Sequence, residues 1–179
     1  MEQQSKSNHV TNRLTIGLFI IYLIVLFWIL VLKLGVQFSY MGNRSVNLIP
    51  FSEPLILNGK IDVGEIILNV VVFVPLGIYA GILFKRWTLG KKLFFFFLTS
   101  LIVEALQFIL AVGAFDVTDI ITNTLGGIAG FMIFKAIERV FNNSVKAQKF
   151  INITAALGTA LMILFLFLLK MDMLPIRYQ

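Results

Sequence analysis

The chain has 179 residues, 59% of them hydrophobic and 13% charged, with a mean hydropathy of +0.93 and a formal charge of +6. That balance lies far outside the range of a soluble domain, and the apolar residues fall in runs long enough to cross a bilayer, so a water-soluble globule is excluded. The absence of cysteine excludes disulfides, thiol catalysis and thiolate metal sites, and the positive charge sits in short connections between apolar runs, which argues for membrane orientation and against nucleic-acid binding.

In chain order, residues 1–13 (MEQQSKSNHVTNR) read as a short polar, mobile tail. A first helix is expected over 14–34; at about 1.5 Å per residue it spans a hydrocarbon core of roughly 30 Å, and it lacks the small-residue ending of a cleaved signal. Residues 35–62 form a long connection punctuated by Pro50 and Pro54. Its segments VNLIPF and PLILNG are apolar enough to lie at headgroup depth or dip into the bundle, with Arg44 and Glu53 in water, although a plain surface loop touching lipid fits as well. Four further spans are expected over 65–84, 93–112, 118–137 and 150–169, followed by a tail over 171–179. The block LFFFFL at 93–98 reads as lipid-facing surface.

The connections after the second and fourth spans carry Lys85, Arg86, Lys91 and Lys92, and Arg139, Lys146 and Lys149. With Lys6 and Arg13 they are placed in the cytoplasm, Lys170 and Arg177 being a small dissent. The expected fold is an all-α, polytopic membrane helical bundle of about five transmembrane helices in one domain. Its N-terminus is inside, and its C-terminus and the 35–62 loop are outside.

Polar residues interrupt the grease at helical spacing. Asp62, Glu65 and Asn69 share a stripe that continues as Phe73, Gly77 and Gly81, while Pro75 frees the carbonyl of Val71. Ser100, Glu104 and Gln107 share a face of the third helix, with Glu104 expected roughly 12 Å below its outer end. Asp116, Asp119, Asn123, Gly126, Gly127 and Gly130 do so on the fourth. All the polar members fall in the outer half, so one outward-facing polar pocket is expected, closed by a seam of Gly77, Gly81, Gly126, Gly127 and Gly130.

A carboxylate at the centre of a helix costs about 2.5–3.5 kcal/mol on insertion scales, so Glu104 should be protonated, paired or hydrated, with Gln107, Asn123, Asn69 or Arg44 as partners. Plainer explanations stand beside this one. Interhelical bonds of about 1 kcal/mol account for Asn69, Gln107 and Asn123, and capping accounts for Asp116 and Asp119. Glu104 is the candidate hardest to dismiss. No membrane histidine, activated serine or zinc-type ligand set is visible, so no cofactor and no metal are expected.

VNLIPF (46–51), LNVVVFVPLG (68–77), EALQ (104–107) and FDVTDIITNTLGGIAG (115–130), in that order, resemble the motifs of the VanZ-like family of bacterial membrane proteins. The resemblance covers roughly 44–135 and implies a multi-pass protein of the bacterial cytoplasmic membrane, in a family whose namesake is associated with teicoplanin resistance. Carried over by motif, the family's marked positions are Asn47, Pro50, Phe51, Asn69, Phe73, Pro75, Gly77, Glu104, Gln107, Asp116, Asp119, Asn123, Gly126 and Gly130. Two features depart from the family pattern: Thr118 precedes Asp119 where many relatives have two adjacent acids, and Ala114 stands near a position where many have arginine.

Three functions follow as expectations. In the first, the pocket meets an amphiphile of the outer leaflet, a lipoglycopeptide or a lipid-linked cell-wall precursor. In the second, Glu104 acts as acid or base on a lipid-linked substrate, with Asp116 or Asp119 holding a hard cation such as Mg2+. In the third, Glu104 titrates in an ion-coupled transporter, against which the apolar inner halves of the helices and the lack of an internal repeat both count. Membrane lipid is a partner in all three, and the oligomeric state is open.

Overall fold

The computed structural model describes residues 2–31, 45–51, 56–57, 60–61 and 64–170. Arg44, Glu53, Pro54, Asp62, most of the 35–62 connection, the 171–179 tail and the side chain of Glu65 lie outside the described residues. Five helices follow one another: α1 (Glu2–Leu30), α2 (Gly64–Leu83), α3 (Leu89–Ile109), α4 (Val117–Phe141) and α5 (Ser144–Lys170). All five are long and apolar enough to cross a membrane, and the all-α bundle expected from composition is the fold found. Among the described residues, strands are confined to β1 (Val46–Asn47), β2 (Ile56–Leu57), β3 (Lys60–Ile61) and β4 (Phe115–Asp116); β1 pairs in parallel with β4, and β2 antiparallel with β3.

The helices overrun the apolar windows, for identifiable reasons. The expected polar tail is helical from Glu2 and continuous with the first span. α3 begins at Leu89, not residue 93, because Thr88 is extended and its hydroxyl accepts from Lys91 N–H at 3.4 Å. α5 begins at Ser144, not residue 150, because Asn143 Oδ1 accepts from the N–H groups of Val145 and Lys146 at 2.8 and 3.1 Å. The basic connection expected between helices four and five is therefore only Asn142 and Asn143, and Arg139, Lys146 and Lys149 sit on the adjoining turns of α4 and α5.

α3 ends three residues before the expected boundary. Ala111 adopts φ 55°, its N–H donates to Phe108 O at 3.2 Å, and Val112 N–H donates to Gln107 O at 3.0 Å. This paired 5→2 and 6→1 closure is a Schellman ending, with alanine in the left-handed position where glycine is usual.

The interior combines apolar clusters around Phe73, Leu76 and Phe96 and around Ile82 and Phe134 with buried polar groups. Glu104, Asn123, Asn152, Thr15 and Ser100 are among the most deeply buried side chains, while Ile24, Val71, Phe94, Met132, Leu157 and Leu161 face outward, as lipid solvation demands. The phenylalanine block divides. Phe94 and Phe97 are exposed as expected, but Phe96 is fully buried and packs where a Cβ on Gly127 would stand.

α2 and α4 meet backbone to backbone. A Cβ on Gly77 would strike the Gly127 carbonyl oxygen, one on Gly126 the Val70 carbonyl oxygen, and one on Gly130 the Val74 carbonyl oxygen. At Gly81 the obstacle is the Phe134 ring. Pro75 lies within α2, and in the turn before it Tyr22 of α1 donates its hydroxyl to Val72 O at 2.9 Å.

Candidate functional site

The polar residues collect at the end of the bundle where α3 turns into α4. The chain leaves α3 through the left-handed Ala111 and runs extended through Phe115 and Asp116 beside Val46 and Asn47, with Phe115 N–H donating to Ser45 O at 3.0 Å. Asp116 is the N-cap of α4: its backbone is extended, and Oδ1 accepts from Thr118 N–H at 2.6 Å. Its other oxygen, Oδ2, accepts from Asn47 Nδ2 at 3.1 Å, and Asn47 Oδ1 in turn accepts from Ile49 N–H at 3.2 Å. Phe51, at φ 56°, donates its N–H to Thr118 Oγ1 at 3.0 Å. Residues 45–51 thus form a strap across the head of α4, tied at Ser45, Asn47 and Phe51.

Glu104 lies beneath the strap, 1% exposed, with Oε2 accepting from Asp116 N–H at 3.3 Å. Since α3 ends at Ile109, the Glu104 backbone is only about 7.5 Å below the helix end, against the roughly 12 Å expected. Its carboxylate reaches the level of the first residues of α4, where unsatisfied N–H groups and the helix dipole favour negative charge. This backbone amide is a donor that counting side chains along the helices does not suggest.

One turn into α4, Asp119 Oδ1 accepts from Asn69 Nδ2 of α2 at 2.7 Å, and its backbone carbonyl accepts from the Thr122 hydroxyl at 3.2 Å. A turn further, Asn123 Nδ2 donates to Ser100 Oγ of α3 at 3.0 Å, while the buried Asn123 Oδ1 has no donor among the described residues. Gln107 turns elsewhere: its Nε2 donates to Leu30 O at 3.0 Å, satisfying a carbonyl at the C-terminal end of α1. Asn47, Glu104 and Asp116 therefore form one cluster, and Asn69 with Asp119 and Asn123 with Ser100 form rungs below it. Asn47, Asp116 and Asp119 are half-buried, whereas Asn69, Glu104, Gln107 and Asn123 are buried. No three acids, histidines or cysteines converge as a metal-ligating group among the described residues.

Sequence reasoning missed two features. Thr118 anchors the strap, and only its place two residues after the cap hints at it. A second polar knot joins α1 to α5: Asn152 Nδ2 donates to Thr15 Oγ1 at 2.9 Å and to Thr11 O at 3.2 Å, and Gln148 Nε2 donates to Thr15 Oγ1 at 2.8 Å and to Asn12 Oδ1 at 3.0 Å. The i,i+4 spacing of Thr11 with Thr15 and of Gln148 with Asn152 was its available signal.

The VanZ/LLP1 family model matches residues 19–142. Protein VanZ of Enterococcus faecium is 33% identical over 153 residues, an alignment that takes in 84% of this chain and 89% of that protein. No solved structure matches the chain.

Proposed function

The chain belongs to the VanZ-like family, and from that premise we propose that it acts in resistance to teicoplanin-type lipoglycopeptides, from the bacterial cytoplasmic membrane, by engaging an amphiphile at the head of α4. The observation that carries this reading is the double character of the strap. Val46, Leu48, Ile49 and Phe51 are 54, 66, 68 and 55% exposed, directly beside the half-buried Asn47, Asp116 and Asp119. An apolar tip flanking a hydrogen-bonding, acidic surface suits a ligand with an acyl chain and a polar head, which both a lipoglycopeptide and a lipid-linked cell-wall precursor possess. The basic residues Lys85, Arg86, Lys91, Arg139, Lys146 and Lys149 sit at the opposite end of the helices. By charge bias that end is cytoplasmic, and the strap then lies at the outer leaflet.

Carboxylate chemistry on a lipid-linked substrate has less support, because Asp116 is used as a helix cap and Asp119 in an interhelical bond, and no three acids converge among the described residues. The test is lipoglycopeptide susceptibility of a host expressing the parent chain, Phe51→Ser, Asp116→Asn or Asn123→Ala, at membrane levels matched by immunoblot. The parent should raise the inhibitory concentration and the variants should lose most of that rise. Variants that insert normally and protect as well as the parent would overturn the reading.

A further inference from the structure

At the end of the bundle remote from the strap, the elbow between α4 and α5 holds a cavity of about 760 Å³ lined by residues that include Phe131, Met132, Lys135, Arg139, Asn142 and Ser144. Its lining combines the cationic Lys135 and Arg139 with the apolar Phe131 and Met132. Lys135 is paired with Glu138 at 2.8 Å, which leaves Arg139 with no ionic partner among the described residues. Lys85 reaches the rim from the end of α2, its Nζ donating to Ser144 Oγ at 3.3 Å. Lys92 is 4% exposed, donates to Trp87 O at 2.6 Å and lies 5.2 Å from the centroid of the Phe131 ring, which Lys135 approaches to 5.9 Å.

The bias of basic residues toward one side of a membrane explains cations that extend into water, such as the exposed Lys91 and Lys146. It does not explain a buried ammonium sharing an aromatic ring with a second one. Four cations, the buried Lys92 and the exposed Lys85, Lys135 and Arg139, stand around Phe131 and the cavity with a single carboxylate, Glu138, among the described residues, so the cluster carries an excess of positive charge that water only partly screens. A counter-anion beside the exposed Lys135 and Arg139 would offset it. The apolar lining decides what kind of anion: Met132, 64% exposed, belongs to the outward apolar face of α4 with Leu125 and Ile133, so the site offers an acyl chain a surface that a soluble ion would not use.

We propose that this elbow binds an anionic glycerophospholipid, its phosphate held by Lys135 and Arg139 and its acyl chain lying along Met132. The site is separate from the strap and independent of the function proposed for it. Native mass spectrometry of the full-length chain in mild detergent, titrated with phosphatidylglycerol or phosphatidylcholine, tests it. Phosphatidylglycerol should bind at least about ten-fold more tightly, and Lys135→Gln and Arg139→Gln should each weaken it about five-fold, while Lys146→Gln on the exposed face of α5 should not.

Equal affinity for the two lipids in the unmutated chain would overturn the proposal without reference to any variant's folding. So would a Lys146→Gln loss as large as that of Arg139→Gln, which would mean diffuse surface charge. Inorganic phosphate competing as strongly as the lipid would assign the site to a free anion and likewise overturn it.

Discussion

Replacing Gly130 with alanine should push α2 and α4 apart, and the cost follows from what stands in the way. The new Cβ would collide with the Val74 carbonyl oxygen and crowd its carbonyl carbon, both belonging to the backbone of the facing helix. A side chain could rotate aside, but a backbone carbonyl yields only if α2 moves, and the same interface is pinned at Gly77 and Gly126. Alanine intrinsically favours a helix over glycine by about 1 kcal/mol, whereas overpacking a close contact costs typically 1–3 kcal/mol and more when rigid atoms are displaced. The net expectation is a loss of about 2 kcal/mol.

The control is Gly158→Ala, where nothing lies within 4 Å of the position the new methyl would take and the propensity gain of about 0.5–1 kcal/mol should appear alone. Unfolding in mixed micelles of dodecyl maltoside and increasing dodecyl sulfate, followed by far-ultraviolet circular dichroism, measures both. If Gly130→Ala proved as neutral or stabilising as Gly158→Ala, backbone contact between α2 and α4 would be refuted. Gly127→Ala and Gly81→Ala, which meet the rings of Phe96 and Phe134, should fall between the two.

The same assay checks four further expectations. Ala111→Gly should stabilise by about 1 kcal/mol, because it removes the strain of alanine at φ 55° while keeping the Schellman bonds. Asp116→Ala should cost about 1–2 kcal/mol through the lost cap of α4, and should also release the strap, read as faster cleavage within 45–51 by an added protease. Asn69→Ala and Asp119→Ala should be non-additive, a double-mutant cycle giving a coupling of about 1–2 kcal/mol for the 2.7 Å bond. Asn152→Ala should cost about 1–3 kcal/mol by stranding Thr15 and the Thr11 carbonyl at the α1–α5 contact.

The spans were legible because hydrocarbon solvent imposes long apolar runs, and the shared faces were legible because helical spacing is independent of neighbours. Asp119, Asn123, Gly126 and Gly130 do lie along one side of α4, meeting Asn69, Ser100, Val70 and Val74. Helix ends were less legible. Thr88, Asn143 and Ala111 set them through local hydrogen bonds, and polar or basic turns past the membrane look like loops when judged by hydropathy. In the sequence LAVGAF, Gly113 is the obvious stop signal, yet Ala111 takes the left-handed position.

Partner choice was hidden for a different reason. Spacing gives the face a side chain occupies but not its rotamer or the element opposite. Gln107 therefore shares a stripe with Glu104 while reaching Leu30 of α1, and Glu104 accepts from the backbone of Asp116.

The glycine seam and the polar head of α4 are one construction. Asn69 and Asp119 have short side chains, and their 2.7 Å bond spans two helices only because Gly126, less than two turns further along α4, lets the Val70 carbonyl come into contact. With a larger residue there the helices would stand farther apart, and Asn69 could no longer reach Asp119. Asp119 follows the Asp116 cap by three residues, and that cap holds both the strap, through Asn47, and the Glu104 carboxylate, through its own N–H. Close packing in the middle of the bundle thus sets the spacing of the polar groups at its end, so a substitution in the seam acts on the head of α4 without touching it.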